Sequence, residues 1–251
     1  MLAKTFLVLA TLAMASAGPV RKSCATEPTK PTLPVNGNGA ELPAPPADLV
    51  LKHIVLGHGI QNYTCASSPT NATSLTATST GALAALYDAS SLYPHAGPAA
   101  LSLDAFNGLT TNAVWGAKLP LTPDGVSKFG ASSTAPFPQP AADLALPNLK
   151  PLPFAGVHFF DGKGVPTFKV GDDLFAGAKL NGIKAPASAD VGPEKTGAVD
   201  WLLLGDKGAS KGVTAVYRVV TAGGVAHQCT QAGPADSVPY AAYYWMFGPK
   251  A

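Results

Sequence analysis

The chain has 251 residues, of which 17 are basic and 15 acidic, so its formal net charge is only +2, and it contains no Lys/Arg run. This balance excludes a typical nucleic-acid-binding protein, and the length suits one large domain or two small ones. Charged residues make up 13% of the chain, while 26 Gly and 24 Pro supply turns. Because helical surfaces are usually built from Glu, Lys and Arg, this composition favours an extracellular β protein.

Residues 1–17 have the pattern of a secretory signal peptide. Lys4 supplies the positive n-region, an apolar run over residues 5–15 follows, and Ala15-Ser16-Ala17 is a small-x-small cleavage site. The apolar run is shorter than the roughly 20 residues that a membrane-spanning helix needs. We therefore expect a secreted, extracellular protein with no membrane partner, whose mature chain starts at Gly18.

The N-terminal part of the mature chain divides into a tail and the first strands. Residues 18–47 are Pro-rich and aperiodic, so we expect an extended or disordered tail, or one draped over the domain. The β domain is predicted to cover residues 48–251. It begins with strand-like runs over 49–56 and 60–65, separated by Gly57-His58-Gly59, which we interpret as a β-bulge or tight turn. This Gly-x-Gly lacks the third glycine and the helix of a dinucleotide fingerprint, so no cofactor is predicted.

The middle of the chain has the weakest periodicity. Residues 73–80 are predicted to form a polar loop and residues 82–87 a strand, and one short helix is expected within 99–109. Residues 110–153 contain many prolines and no regular pattern. We expect them to form an irregular insertion that is either a functional loop or packed on the surface.

Strand signals return in the last third of the chain. Runs over 157–160 and 165–170 are joined by Asp161-Gly162, which is a good hairpin signal. Three further strands are predicted, over 198–204, 213–221 and 238–247. About eight to ten strands without a long helix predict an all-β fold, a single-domain antiparallel β-sandwich or barrel with long irregular loops.

The last predicted strand carries a cluster of aromatic residues. Side chains alternate between the two faces of a strand. One face would carry Tyr240, Tyr244 and Met246, and the other Tyr243, Trp245 and Phe247. One set would fill the core, and the other would be either covered or exposed as a platform for sugar rings; we favour packing.

Three cysteines and two sequons bear on the extracellular assignment. In an oxidising compartment cysteines normally pair. Cys65 ends one strand-like segment and Cys229 follows another, whereas Cys24 lies in the tail, so we pair Cys65 with Cys229. Asn62 and Asn71 each begin an Asn-x-Thr sequon and are predicted to be glycosylated at the surface.

The sequence contains no complete catalytic constellation. Residues 208–212 match the G-x-S-x-G nucleophile elbow, but a β-like run follows in place of the required helix, so we predict a hairpin loop. A site assembled from distant strands would draw on His58, His158 and Asp161, which are the candidate catalytic residues; no metal site is predicted. The acids considered for a glycosidase pair are Asp161, Asp172, Asp173 and Asp200, most of which turn formation explains.

Several segments together resemble a family of secreted fungal and bacterial proteins of unknown function. The segments, which follow in order from about Leu49 to Phe247, are 59–65, 156–159, 200–204, 217–224 and 238–245. The resemblance implies cysteines at the positions of both Cys65 and Cys229, and it supplies no agreed catalytic residues. Fungal members are sometimes labelled malate dehydrogenase. This sequence argues against that activity, because it has no intact nucleotide fingerprint and no βαβ alternation, and export would separate it from NAD.

We therefore predict an extracellular or cell-wall-associated protein, with a non-enzymatic binding or structural role favoured over catalysis. Its expected partner is a cell-wall polysaccharide or another surface polymer, and no nucleic acid. The alternative is a secreted hydrolase-type enzyme whose site is assembled from distant loops around His58, His158 and Asp161, with residues 110–153 as a lid. A third possibility is a host- or partner-directed secreted protein. The oligomeric state is left open.

Overall fold

The computed structural model describes residues 30–67, 75–233 and 235–250. The predicted signal peptide, Cys24 and Asn71 lie outside these residues. The strands follow one another as β1 (Leu49–Ser67), β2 (Leu75–Asp88), β3 (Phe154–Phe160), β4 (Pro166–Val170), β5 (Asp173–Ile183), β6 (Trp201–Asp206), β7 (Ala215–Gly223) and β8 (Ala235–Pro249). Two short helices, α1 (Leu103–Asn107) and α2 (Leu109–Gly116), lie in the long connection between β2 and β3.

The strands form a single antiparallel sheet that closes on itself. Each strand pairs with the next one in sequence, and β8 returns to pair with β1. The pairing is uneven around the ring: β1 and β8 are matched over fifteen positions, whereas β4 and β5 are matched over four. Closure removes the exposed strand edges that would otherwise pair with other chains. The all-β class is confirmed, and of the two predicted architectures the barrel is the one observed.

Side chains of the sheet separate into an inner and an outer apolar cluster. Along β8, Tyr240, Tyr244 and Met246 belong to the inner cluster. The alternating residues Tyr243, Trp245 and Phe247 belong to the outer cluster. All six are buried. The predicted alternation and the preference for packing are confirmed, because neither face of β8 presents an exposed aromatic platform.

The outer cluster is covered by the β2–β3 connection and by the segment preceding β1. Phe106 of α1 stacks on Tyr243 with ring centroids 4.5 Å apart, and Tyr93 contacts Phe106 and Trp245 edge-on. The Tyr243 hydroxyl donates a hydrogen bond of 2.7 Å to the Phe106 carbonyl. Helix α1 begins after Ser102, whose hydroxyl accepts a bond from the Ala105 amide, a standard N-cap. The part of the sheet that faces α1 and α2 is therefore sealed from solvent.

Three local predictions differ from the structure. Strand β1 runs unbroken through Gly57-His58-Gly59, and its register shifts lie elsewhere, between Leu51 and His53 and between Asn62 and Tyr63. The bulge or turn predicted there is wrong, because Gly57 serves to make room inside the barrel: a Cβ on it would lie 2.6 Å from the Tyr244 ring. Strand β2 includes residues predicted as a loop, since β-branched Thr is compatible with an exposed strand. Strand β5 was not predicted.

Other local predictions agree with the structure. The short helix expected within 99–109 is α1, while α2 extends into the predicted irregular insertion. Beyond α2 that insertion has only isolated bridges, including Leu144 with Leu152, both buried against the outer cluster. A disulfide joins Cys65 at the end of β1 to Cys229 in the β7–β8 connection, which confirms the predicted pair. Among the described residues, no helix has the length and apolar character needed to cross a membrane.

Candidate functional site

The main candidate site is a cavity inside the barrel, which we call the inner cavity. Its volume is about 710 Å3, and it lies toward the end of the barrel where the β3–β4 hairpin turns. All eight strands contribute residues to its wall, and the contribution of β8 is Tyr244. An eight-stranded barrel is just wide enough either to be filled by side chains or to hold one small ligand.

The wall of the inner cavity is strongly positive. Among the described residues, the carboxylate of Asp200 is the only one that lines it. The cationic side chains that line it are Lys163, Lys179, Lys184, Lys207 and Arg218. Since the whole chain has a formal net charge of only +2, these cations are concentrated at one place in the molecule.

Arg218 of β7 is the cation held most firmly. Its Nε and Nη2 donate to the backbone carbonyl of Asp200 at 3.1 and 2.8 Å, and its Nη1 lies 3.5 Å from Gln61 Oε1. Gln61 is oriented in turn by bonds from its Nε2 to Ser79 Oγ (2.9 Å) and the Gly81 carbonyl (2.8 Å). Among the described residues, no carboxylate forms an ion pair with Arg218. The guanidinium is thus fixed in orientation while its charge is not neutralised.

The tyrosines around Arg218 are neutral hydrogen-bonding groups. The hydroxyls of Tyr240 and Tyr244 lie 2.8 Å apart, and the Tyr63 hydroxyl donates to the Gly224 carbonyl at 2.7 Å. Burial raises the pKa of Tyr63 to about 12 and raises the pKa of Tyr240 well above its usual value. Each phenol therefore keeps its proton at neutral pH and offers a hydroxyl but no negative charge.

His158, the histidine of the inner cavity, is also uncharged. Its Nδ1 lies 2.9 Å from the Thr167 carbonyl, so the Nδ1–H tautomer donates there, and its ring stacks on Phe168 with centroids 3.9 Å apart. Burial lowers the pKa of His158 to about 3. General base catalysis is most effective when the pKa of the base lies close to the working pH. His158 would therefore be a weak proton acceptor near neutral pH.

Apolar side chains complete the wall of the inner cavity. Phe160 and Phe168 line the β3–β4 side, and Leu202 and Leu204 line β6. Apolar walls with a few polar groups at defined positions are typical of sites that bind small organic molecules. The cavity can therefore hold an apolar body and a polar group of one ligand at the same time.

The three candidate catalytic residues are not brought together. His58 of β1 is paired with Ala85 of β2 and Ala241 of β8, which both belong to the outer cluster. Its ring therefore lies on the outer face of the sheet, opposite to the face of His158. Burial lowers the pKa of His58 to about 4, and its Nδ1 has no hydrogen-bond partner among the described residues. Asp161 accepts the amides of Lys163 and Val165 and holds the β3–β4 turn.

Two other predicted features have clear structural roles. The G-x-S-x-G segment is a loop between β6 and β7, as predicted: Ser210 Oγ accepts the Ala176 amide at 2.9 Å, and Asp206 accepts the amides of Gly208 and Ser210. Of the acids considered for a glycosidase pair, only Asp200 lines the inner cavity. Among the described residues, no group of three His, Cys, Asp or Glu side chains could hold a metal ion.

The predicted glycosylation site at Asn62 lies in β1 and is half-buried. Its Oδ1 accepts a hydrogen bond of 2.8 Å from the Ser237 hydroxyl of β8. Asn71 lies outside the described residues. Whether either carries a glycan stays a prediction from the sequons.

Apart from His158 and Asp200, sequence reasoning missed the residues of the inner cavity, although two signals were present. Arg218 is the single charged residue in the predicted strand 213–221, and a lone charge within an apolar strand indicates either an outward position or a polar interior. Gln61 and Tyr63 alternate in β1 and so share one face. The four lysines carry no such signal, because exposed lysines are common everywhere.

Comparisons with known proteins place the chain by sequence but assign no activity. The family model described as "Protein of unknown function (DUF3455)" matches residues 45–248. A search of curated proteins found no match. A search of solved structures found none either.

Proposed function

The chain belongs to the DUF3455 family of proteins of unknown function, and we propose that it is a secreted, non-enzymatic binding protein that holds a small organic ligand in the inner cavity. The observation that carries the proposal is the cavity itself. About 710 Å3 is left open inside a barrel whose other interior positions are packed with buried side chains. A volume of this size is in the range of sites that bind drug-sized ligands.

The arrangement of ionisable groups favours binding over catalysis. The hydrolase alternative needs His58, His158 and Asp161 within reach of one substrate, and they lie on the outer face, on the inner face and in a turn. A glycosidase needs two carboxyl groups facing each other, and the inner cavity has one. The neutral phenols and the neutral His158 are suited to orienting a ligand.

Secretion is supported by the signal-peptide pattern and by the Cys65–Cys229 disulfide, since disulfides persist in oxidising compartments. A cell-wall polysaccharide or other surface polymer was the partner predicted from the sequence. The aromatic residues of β8, on which a sugar-stacking platform could have been built, are buried. A ligand small enough to enter the barrel is therefore the better-supported partner, and retention on chitin, glucan or whole walls would reverse that order.

Calorimetric titration with three probes that share one apolar body tests the proposal. The probes are octanol, octanoate and octylammonium, which are neutral, anionic and cationic. We expect at least one to bind saturably to the mature protein. Filling the cavity with Ala77→Trp, at a half-buried lining position on the same face of β2 as Ser79, should weaken that binding at least tenfold, because the indole takes the space of the ligand.

The matched control is Ala99→Trp, which adds the same side chain at an exposed position outside the inner cavity. It should leave the affinity unchanged. Circular dichroism of both variants checks that the barrel is folded. The proposal is wrong if none of the probes binds, or if Ala77→Trp and Ala99→Trp have equal effects.

A further inference from the structure

We infer that the ligand of the inner cavity is an amphipathic organic anion, whose acidic group is bound by Arg218 and whose apolar body lies against Phe160, Phe168 and Leu202. This inference rests on the proposed function and names its ligand class. It is carried by the charges of the cavity wall and by the hydrogen bonds that orient Arg218.

The distribution of hydrogen-bond partners leaves Arg218 available for an anion. The carboxylate of Asp200 is turned toward Lys184, with 3.2 Å between Asp200 Oδ1 and Lys184 Nζ. Arg218 instead bonds the Asp200 backbone carbonyl, which is a dipole without net charge. A half-buried cation without a counter-ion is unfavourable in the free protein, and an anionic ligand would supply the missing charge.

The charge of Arg218 acts on polar groups on several sides of the inner cavity. It lowers the pKa of His158 in the same direction as burial does. It opposes the larger effect of burial, which raises the pKa values of Tyr63, Tyr240 and Tyr244. These groups come from three different strands, β1, β3 and β8. An acidic group entering this space would therefore meet a positive potential wherever it lies near them.

The lysines of the inner cavity supply a weaker, longer-range attraction. Lys163, Lys179 and Lys207 are exposed, and none of them forms an ion pair within the part of the chain that the structure describes. Exposed charges raise the rate of encounter with an oppositely charged ligand, and salt screens them over about 10 Å at moderate ionic strength. We expect these three lysines to make binding salt-dependent while Arg218 determines the ligand class.

The polar and apolar parts of the wall explain why the ligand should be amphipathic. Hydroxyl groups beside Arg218, in particular that of Tyr244, can donate hydrogen bonds to the oxygens of an acid. The aromatic and leucine side chains of β3, β4 and β6 have no polar group to offer and favour a hydrocarbon body. Inorganic anions would use only the first part of this wall.

The same three octyl probes provide the test. We expect octanoate to bind about ten- to a hundredfold more tightly than octanol, the range of a hydrogen bond to a charged group, and octylammonium to bind most weakly. Arg218→Gln should remove that preference, leaving octanol binding within about twofold. Octyl phosphate and octyl sulfonate, titrated in parallel, distinguish which acidic group Arg218 accepts best.

Controls separate the charge of Arg218 from its structural role. Lys150→Gln removes an exposed cation outside the inner cavity and should leave octanoate affinity unchanged. If Arg218→Gln fails to fold, the triple variant Lys163→Gln, Lys179→Gln, Lys207→Gln replaces it. That variant should weaken octanoate binding about three- to tenfold at low salt and flatten its salt dependence.

The outcomes distinguish this inference from the proposed function. Equal affinity for octanol and octanoate, with both abolished by Ala77→Trp, would overturn the anionic ligand and leave the binding function standing. An octanoate preference that survives Arg218→Gln and the triple lysine variant would also overturn it. Binding of none of the probes would overturn both.

Discussion

The inner and outer faces of the closed sheet differ in what their side chains contact. On the outer face, Tyr243, Trp245 and Phe247 pack under α1 and the segment before β1, and the contact is sealed. On the inner face, Tyr244 is hydrogen-bonded to Tyr240 and lines a cavity that Arg218 also lines. Adjacent residues of β8 therefore belong to different environments. The comparison indicates that the outer face supplies stability, whereas the inner face carries the proposed binding site.

Each face of the sheet has a buried histidine, His58 on the outer face and His158 on the inner face. Their pKa values are about 4 and about 3, lowered by burial from an ordinary value near 6.5. Below pH 6.5 the unfolded chain takes up protons that the folded protein does not. The free energy of unfolding should therefore fall as the pH drops from 6.5, by about 3 kcal/mol for each histidine at pH 4.

Urea unfolding at a series of pH values measures this loss. His58→Gln and His158→Gln should each flatten the curve between pH 6.5 and 4 by a similar amount, because burial acts on both faces. The exposed His95 provides a surface control as His95→Asn, a residue that tolerates its positive φ. If only one of the two buried-histidine variants changes the curve, then burial lowers the pKa of only one of the two histidines.

Large apolar side chains should differ in importance between the two faces. Trp245 is fully buried in the outer cluster, so Trp245→Ala should lower the free energy of unfolding by about 3–5 kcal/mol. Leu202 is half-buried and borders the inner cavity, where neighbouring space is already open. Leu202→Ala should lower it by less than about 2 kcal/mol. Denaturant titration of both variants checks this, and equal losses would contradict the assignment of stability to the outer face.

Tyr243 and Tyr244 are adjacent in sequence, and their hydroxyls lie on opposite faces of the sheet, so they allow the finest comparison. Tyr243→Phe leaves the buried Phe106 carbonyl without its donor, and should lower the free energy of unfolding by about 1–2 kcal/mol. Tyr244→Phe removes the bond to Tyr240 beside the cavity, where water can replace the lost partner, so about 1 kcal/mol or less is expected. Thermal unfolding of the two variants provides the measurement. A larger loss for Tyr244→Phe would mean that the inner cavity is closed to water.

Local sequence signals were sufficient for several parts of the fold and misleading for others. The Asp161-Gly162 turn and the alternation along β8 were predictable because each depends on residues close in sequence. The prediction for Gly57-His58-Gly59 was wrong because Gly57 makes room for the ring of Tyr244 in β8 and Gly59 for the backbone of Leu83 in β2. These residues become neighbours only after the strands pair. Strand β5 was missed because it includes Gly177 and Gly182 and mixes small with polar residues, a composition without a strand signature.

The candidate site was harder to predict than the fold. Sequence reasoning selected His58, His158 and Asp161 by residue type, and a histidine's type does not reveal which face of the sheet it occupies. Arg218 could have been noticed as a charge within an apolar strand. Its significance depends on Asp200 using its backbone carbonyl for Arg218 and its carboxylate for Lys184, which no spacing in the sequence encodes.

By itself the sequence determined the all-β class, the Cys65–Cys229 disulfide, membership of a family of unknown function and the two-faced character of β8. The fold class, the disulfide and the alternation follow from composition, oxidation chemistry and a period of two residues. The family follows from the resemblance of several sequence segments. Only the tertiary structure decided that the sheet closes from β8 onto β1 and that cations from several strands meet in one cavity. Closure and convergence arise from contacts between residues far apart in the chain, and each lysine or arginine taken alone is indistinguishable from a solvated surface charge.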